Sequence, residues 1–170
     1  MSAQWRDTDA PLRLLPMQVA QIDAVMAIEV SAYSFPWSRG NFIDSLAAGY
    51  PSHVLLGDDG ALLGYFVAMA GVDEMHLLNI TVAPAVQGRG HARTLLEALI
   101  ELARAQPAHE LWLEVRESNP KARAMYAHFG FAEVGKRKGY YPAALNRRED
   151  AVVMSLSLEP PTAGANDALG

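Results

Sequence analysis

The chain of 170 residues contains no cysteine. That absence removes disulfides, thiolate metal sites and any cysteine nucleophile, and it suits a reducing compartment. Basic charge is also scarce: 14 lysines and arginines stand against 19 aspartates and glutamates, for a formal net charge of -5. A general nucleic-acid binder needs a basic surface, so direct nucleic-acid binding is not expected. Long apolar runs are missing too. Uncharged stretches of the apolar middle, such as Ala61 to Val72, are too short to span a bilayer. The opening MSAQWRDTDAP lacks the apolar core of a secretory signal. The expectation is a cytoplasmic protein without a membrane partner. The histidines, at positions 53, 76, 91, 109 and 128, have no ligand spacing, so no metal is expected. No G-x-S-x-G is present, which leaves a serine hydrolase unsupported.

What is present alternates between helical and extended patterns, with no internal repeat. Leu12 to Leu15 reads as a short strand. Val19, Ile22, Val25, Met26 and Val30 recur at helical spacing and predict a helix ending near Ser31. An aromatic loop, YSFPW, follows, and Ser38 suits the cap of a second helix through Leu46. His53 to Gly57 and Ala61 to Ala70 flank an Asp-Gly turn and predict a hairpin. Met75 to Val82 reads as a strand, and a helix from about Gly90 to Ala105 would bury Leu95, Leu96, Leu99, Ile100 and Leu102. Leu111 to Val115 is a short apolar strand. A helix capped by Asn119, opened by Pro120 and stopped by Gly130 comes next. Strands over about Ala132 to Arg137 and Ala151 to Leu156 complete the order β-α-α-β-β-β-α-β-α-β-β. This is α/β with a mixed central sheet flanked by helices, in one domain over residues 1–158. Residues 159–170, EPPTAGANDALG, read as a flexible tail.

The segment VAPAVQGRGHARTLLEALIELA, from Val82 to Ala103, delivers a glycine-rich loop to a helix N-terminus. Such a loop can hold phosphate through converging backbone N–H groups and the helix dipole. It lacks the lysine and hydroxyl of G-x-x-x-x-G-K-[ST], and Arg93 stands where G-x-G-x-x-G needs its third glycine. Gln87-Gly88-Arg89-Gly90-His91-Ala92 instead fits [QR]-x-x-G-x-[GA]. By itself the hexapeptide reads equally as a phosphate cradle or as an ordinary strand-to-helix turn.

Two further residues draw notice. Glu114, in LWLEVRESN, places a carboxylate inside an apolar strand, where it must face a cleft or pair with a cation such as Arg116. Tyr126 shares a helical stripe with Ala122, Met125 and Phe129. It is a core tyrosine by default, and its phenol could also donate a proton at a pKa of ~10. Lys136-Arg137-Lys138 reads as a solvated run that could also lie near an anionic ligand.

Together these segments resemble the GNAT N-acetyltransferase superfamily. LLNITVAPAVQGRGHARTLLEALIELA is similar to its strand-loop-helix acetyl-CoA site. YSFPWS, LEVRESN, AMYAHFGF and GYYP, in this order, resemble the RimI-type ribosomal-protein-alanine N-acetyltransferases over residues 11–157. Gly88 stands where an arginine is common and His91 where an aliphatic residue is common, which bears on affinity more than on identity.

The resemblance implies a single-domain acyl-CoA N-acyltransferase fold and acetyl-CoA as co-substrate. Ile80, Thr81 and Val82 would pair with the pantetheine arm. Gln87, Gly88, Arg89, Gly90, His91 and Ala92 would hold the pyrophosphate, and Asn119 would bond the coenzyme near its thioester end. Glu114 would act as general base and Tyr126 as the acid for the departing thiolate, with direct attack in a ternary complex. Phe35 and Trp37 would shape a peptide groove, although FPW reads equally as a hydrophobic corner. Glu29, Asp73 and Glu74 would attract a basic N-terminus. The implied acceptor is a protein N-terminus, the alanine of the eighteenth small-subunit ribosomal protein, and the enzyme is expected to be a monomer. An α-amine suits a carboxylate base, because its pKa of ~8 leaves far more neutral amine than lysine at ~10.4. Other amine acceptors, or an acyl-CoA-binding module without turnover, are the competing readings.

Overall fold

The hairpin after the Asp-Gly turn and the two capped helices form as their local signals predict. The structure, a computed structural model, describes residues 12–158. The tail expected over residues 159–170 lies outside the described residues, as do residues 1–11. Strand β1 (Arg13–Pro16) is followed by a 3-10 turn (Val19–Gln21), helix α1 (Ile22–Ala32) and helix α2 (Arg39–Ala47). Strands β2 (Ser52–Leu56), β3 (Leu62–Ala70) and β4 (Glu74–Val82) lead to helix α3 (His91–Ala105). Strand β5 (Glu110–Arg116), helix α4 (Pro120–His128), β6 (Ala132–Pro142) and β7 (Arg148–Ser157) complete the described chain. One mixed sheet has the strand order β1-β2-β3-β4-β5-β7-β6. The β4–β5 pair is parallel, whereas β1–β2, β2–β3, β5–β7 and β6–β7 are antiparallel. The result is a single mixed α/β domain, as expected.

Within it the chain forms two compact units. The first holds the described residues up to Met69 together with Leu78–Leu99. Its core gathers Met17, Ile22, Val25, Phe42, Val54, Leu56, Tyr65 and Val67. Ser38 begins α2 with a reciprocal cap: its Oγ accepts from Asn41 N at 3.1 Å, and Asn41 Oδ1 accepts from Ser38 N at 2.9 Å. Helix α1 corrects the predicted stripe. Its buried residues are Ile22, Val25 and Glu29, while Val19 and Val30 are exposed. Val19 falls in the 3-10 turn before the helix, and Val30 lies one step around from the face that Glu29 occupies.

Residues Ala70–Leu77 and the described residues from Ile100 make the second unit. Along β5, Leu111, Leu113 and Val115 are buried, and Trp112, Glu114 and Arg116 share the opposite face. Helix α4 is capped as predicted, with Asn119 Oδ1 accepting from Ala122 N at 3.1 Å and Pro120 in its first turn. In α3 the residue that joins Leu95, Leu96, Leu99 and Ile100 in the core is Ala103; Leu102 is half-buried. Strands β6 and β7 outrun their predicted ends. The β6 ladder continues past Arg137 through an irregularity, since Arg137 pairs with Ala151 but Tyr141 with Glu149. Gly139 sits in it with φ +59°, donating from N to Asp150 Oδ1 at 2.9 Å.

Gly64 fixes the closeness of β3 to the end of β4. A Cβ there would meet Thr81 O at 2.6 Å and Val82 Cα at 3.3 Å, both backbone atoms that cannot swing aside. Gly64→Ala is therefore expected to cost about 2 kcal/mol by overpacking. In thermal melts that is a loss of about 4–8 °C for a chain of this size. Gly40→Ala, in α2 with only Ser38 Oγ at 3.6 Å, is the control and should melt at or above wild type. Equal melting of the two variants would refute the contact.

Candidate active site

In the first unit, a chain of hydrogen bonds runs from α1 to the end of β4. Tyr33 Oη lies 2.6 Å from Thr81 Oγ1 and donates also toward Ile80 O at 3.1 Å. Thr81 Oγ1 donates to Asn79 Oδ1 at 2.7 Å, and Asn79 Nδ2 donates to Glu29 Oε1 at 3.2 Å. Tyr65 Oη donates to the same oxygen at 2.6 Å, and the Trp37 backbone N–H donates to Glu29 Oε2 at 2.9 Å. A carboxylate can only accept, so the donors from Thr81 through Asn79, and those from Tyr65 and Trp37, run toward Glu29. Burial pushes the Tyr33 phenol up to about 12, although much of its ring is exposed, because the hydroxyl end is turned inward. Burial, reinforced by Glu29, raises the Tyr65 phenol further.

This corrects one expectation. Glu29 is 1% exposed and holds the start of α2 and two strands together, so it offers no surface charge to a peptide. Trp37 is half-buried against the core, its ring 5.1 Å from Phe42, whereas Phe35 is exposed. The FPW loop is thus anchored by its tryptophan and presents its phenylalanine.

At the end of β4, Gln87 Nε2 donates to Val82 O at 3.1 Å and ties the loop back to its strand. Gln87, Gly88, Arg89 and Gly90 are exposed, and His91 and Ala92 open α3 half-buried. Gly88 and Gly90 have φ +80° and +84°, and a Cβ on either would meet nothing within 4 Å. The first amides of a helix have no intrahelical acceptor, so this open, left-handed turn is a cradle of N–H groups. A turn of this kind can receive an anionic group.

The second unit contains Glu114, Asn119, Tyr126, Asp73 and Glu74. Asp73 and Glu74 are exposed at the turn entering β4, where Asp73 has φ 61° and its carbonyl accepts from His109 N at 2.7 Å. Tyr126 is buried on α4, its ring tilted 5.6 Å from Phe131. The Glu114 side chain is 5% exposed. Its Oε1 lies 2.7 Å from His76 Nε2, and its Oε2 lies 3.3 Å from Arg137 Nε. The second contact is an ion pair without hydrogen-bond alignment, so Oε2 is a buried oxygen with no hydrogen-bond donor. Such an oxygen can accept a proton or a polar substrate group.

Arg116 has partners of its own. That guanidinium pairs with Glu149 at 3.0 Å, donates to Pro142 O at 2.9 Å and lies 4.5 Å above the Tyr141 ring. Hydrogen bonding from Ser118, with help from Arg116, holds the Glu149 carboxyl below its usual range. Several neighbours of Glu114 carried no separate signal in the sequence. Arg137 comes from the supposedly solvated run, and Tyr140 and Tyr141 from GYYP. Burial, with the Glu114 charge nearby, raises both phenols. His76 arrives only through the register of β4 against β5, where it stands opposite Trp112. Among the described residues no group of three acidic, histidine or cysteine side chains gathers as a metal site.

The mixed seven-stranded sheet flanked by helices is the fold of an acyl-transferring enzyme. The chain belongs to the acetyltransferase (GNAT) family, whose model matches residues 22–131. Its relatives narrow this further. The [ribosomal protein bS18]-alanine N-acetyltransferase of Haemophilus ducreyi is 38% identical over 131 residues, 77% of this chain and 90% of that protein. The crystal structure of the ribosomal-protein-S18-alanine N-acetyltransferase from Escherichia coli superposes with a TM-score of 0.82 at 34% identity. It covers 88% of this chain and 96% of that one. The fold also matches a phosphinothricin acetyltransferase from Sinorhizobium meliloti solved in complex with acetyl-CoA. There the TM-score is 0.74 at 22% identity, with 89% of this chain and 91% of that chain covered.

The Glu29 network makes a direct prediction. Glu29→Ala leaves the donors from Tyr65, Asn79 and Trp37 without an acceptor and should cost about 3 kcal/mol or more. The melting temperature should fall by about 6 °C or more. Unchanged melting, with weaker binding of basic peptides, would instead make Glu29 a surface attractor.

Proposed function

We propose that this acetyltransferase moves the acetyl group of acetyl-CoA to the α-amine of a protein N-terminus, the acceptor being the N-terminal alanine of ribosomal protein bS18. The 38% identical relative that carries this activity in its name supports the acceptor. The observation that carries the chemistry is the buried Glu114 Oε2 without a donor. A cytoplasmic setting follows from a ribosomal acceptor. No helix among the described residues is long and apolar enough to cross a membrane.

Acetyl-CoA supplies the acetyl group as a thioester. The amides from Gly88 to Ala92 would hold its pyrophosphate, with Arg89 adding charge and Gln87 keeping the loop in place from Val82 O. The backbone of Ile80, Thr81 and Val82 would line the pantetheine arm, Tyr33 steadying the Ile80 carbonyl. Asn119 has its Oδ1 committed to the α4 cap, which leaves its amide N–H groups to face the coenzyme. Glu114 takes a proton, through water, from the peptide's α-ammonium, and Tyr126 gives its hydroxyl proton to the departing sulfur. The α-amine, at ~8, asks far less of this base than a lysine at ~10.4. Exposed Phe35 would contact the first residues of the peptide, and Asp73 and Glu74 would draw in its positive charge. No cysteine is available to carry the acetyl group, so transfer is direct.

The test is mass spectrometry of synthetic peptides incubated with the enzyme and acetyl-CoA. A bS18 N-terminal peptide should be acetylated at its α-amine, and an N-terminally blocked peptide with internal lysines should not. Comparable rates on the blocked peptide would overturn the proposed acceptor. Glu114→Gln and Tyr126→Phe should each slow transfer by about 100-fold or more, since each removes a proton-transfer group. Acetyl-CoA affinity, measured by calorimetry, should stay within about 2-fold of wild type because neither side chain is assigned to coenzyme binding. Wild-type rates in either variant would remove that residue from the mechanism.

A further inference from the structure

The partner of Glu114 on its other oxygen is the least expected feature of the site. His76 and Glu114 are 38 residues apart in sequence, and their side chains are only 11% and 5% exposed. The imidazole is fixed in orientation by Trp112, its cross-strand partner, with ring centroids 3.6 Å apart and planes 9° from parallel. From that stack the Nε2 edge reaches Glu114, two residues beyond Trp112 on the same face of β5. A ring held flat against an indole cannot rotate to follow a mobile carboxylate. The carboxylate must therefore come to the ring, and its torsions are set by that bond.

We propose that His76 is a positioning residue for the general base: its Nε2–H holds Glu114 Oε1, so that Oε2 is the oxygen that accepts the substrate proton. The two oxygens are made unequal by their surroundings. Oε1 has the His76 ring nitrogen at 2.7 Å, whereas Oε2 has the Arg137 charge nearby at 3.3 Å but no aligned donor. One imidazole N–H orients a carboxylate through one oxygen and leaves the other open; a second aligned donor would occupy both. Arg137 is itself kept to one side, its Cζ 5.4 Å from the Tyr140 ring centroid and 5.7 Å from that of Trp112. This inference rests on the acetyl-transfer reading for its rate effects but not for its hydrogen bond.

Two substitutions separate positioning from packing. His76→Phe keeps an aromatic ring against Trp112 and removes the donor, while His76→Gln keeps a donor of similar reach and removes the ring. His76→Phe should lower kcat by about 10- to 100-fold, the usual cost of a slightly misplaced catalytic group. KM values for acetyl-CoA and peptide should stay within about 2-fold, since His76 is assigned to neither. His76→Gln should recover kcat to within about 3-fold of wild type, because the donor is restored. In a Glu114→Gln background, His76→Phe should cause no further loss, since its effect passes through that carboxylate. Imidazole nitrogen shifts of His76 in the wild-type protein at about pH 8 should report the Nε2-protonated tautomer, independently of activity or variant folding.

His76→Phe with wild-type kcat overturns the proposal, as does His76→Gln as slow as His76→Phe. The latter would make His76 itself a proton acceptor or a purely aromatic support. A His76→Phe loss that persists without Glu114 overturns it too, and so does an unprotonated Nε2. If the wild-type enzyme acetylates no peptide, the acetyl-transfer reading fails, and the tautomer still decides the hydrogen bond.

Discussion

A carboxylate taken out of water must be met by donors, and that requirement organises both units of this protein. Glu29 is met fully, by Tyr65, Asn79 and the Trp37 backbone. Both of its oxygens are engaged in holding the structure together. Glu114 is met on one oxygen only, by His76. The same residue type is saturated with donors in one unit and left with an open oxygen in the other. Glu29 has three donors spread over both oxygens, and Glu114 has one.

Each unit reaches that outcome through strand register. Tyr65 lies on β3 and Asn79 on β4, so the donors around Glu29 become neighbours when those strands are laid beside the helices. In the second unit, β5 has β4 on one side and β7 on the other, with β6 beyond. That order delivers His76 from β4 and Arg137 from β6 to a glutamate on the strand between them. Neither contact needs an unusual residue. The first needs the parallel pairing of β4 and β5, which a helical crossover between the two strands makes possible, and the second the antiparallel ladders from β5 through β7 to β6.

Much of this was readable from residues alone, and the reasons are local. Ser38, Asn119 with Pro120, and the Asp-Gly turn act within a few positions of themselves, so all the strands and α-helices appear in their expected order. Glu114 was visible because a charge inside an apolar strand is conspicuous wherever the strand lies. His76 was not, because a search for metal-like spacings cannot see a parallel register that closes over 38 positions. Arg137 looked solvated because its role depends on which strands neighbour β6. Glu29 was missed for a different reason. It stands seven residues after Ile22 and four after Val25, squarely on the buried stripe, but its charge suggested the surface and Val30 was put there instead.

The irregularity in β6 has a consequence for solubility as well as for the site. In the strand order β6 and β1 are the two outer strands, and an outer strand is a template on which another chain can extend the sheet. β1 is only four residues long and ends in proline, which offers no N–H. β6 is longer, but Gly139 breaks its ladder, Asp150 and Arg148 occupy backbone groups of the break, and Lys136 and Lys138 flank it with charge. The segment that sends Arg137 and Tyr140 toward Glu114 is thus also the one that makes this edge a poor partner for a second sheet. An outer strand interrupted in this way does not invite another chain, a second copy included, to join the sheet there.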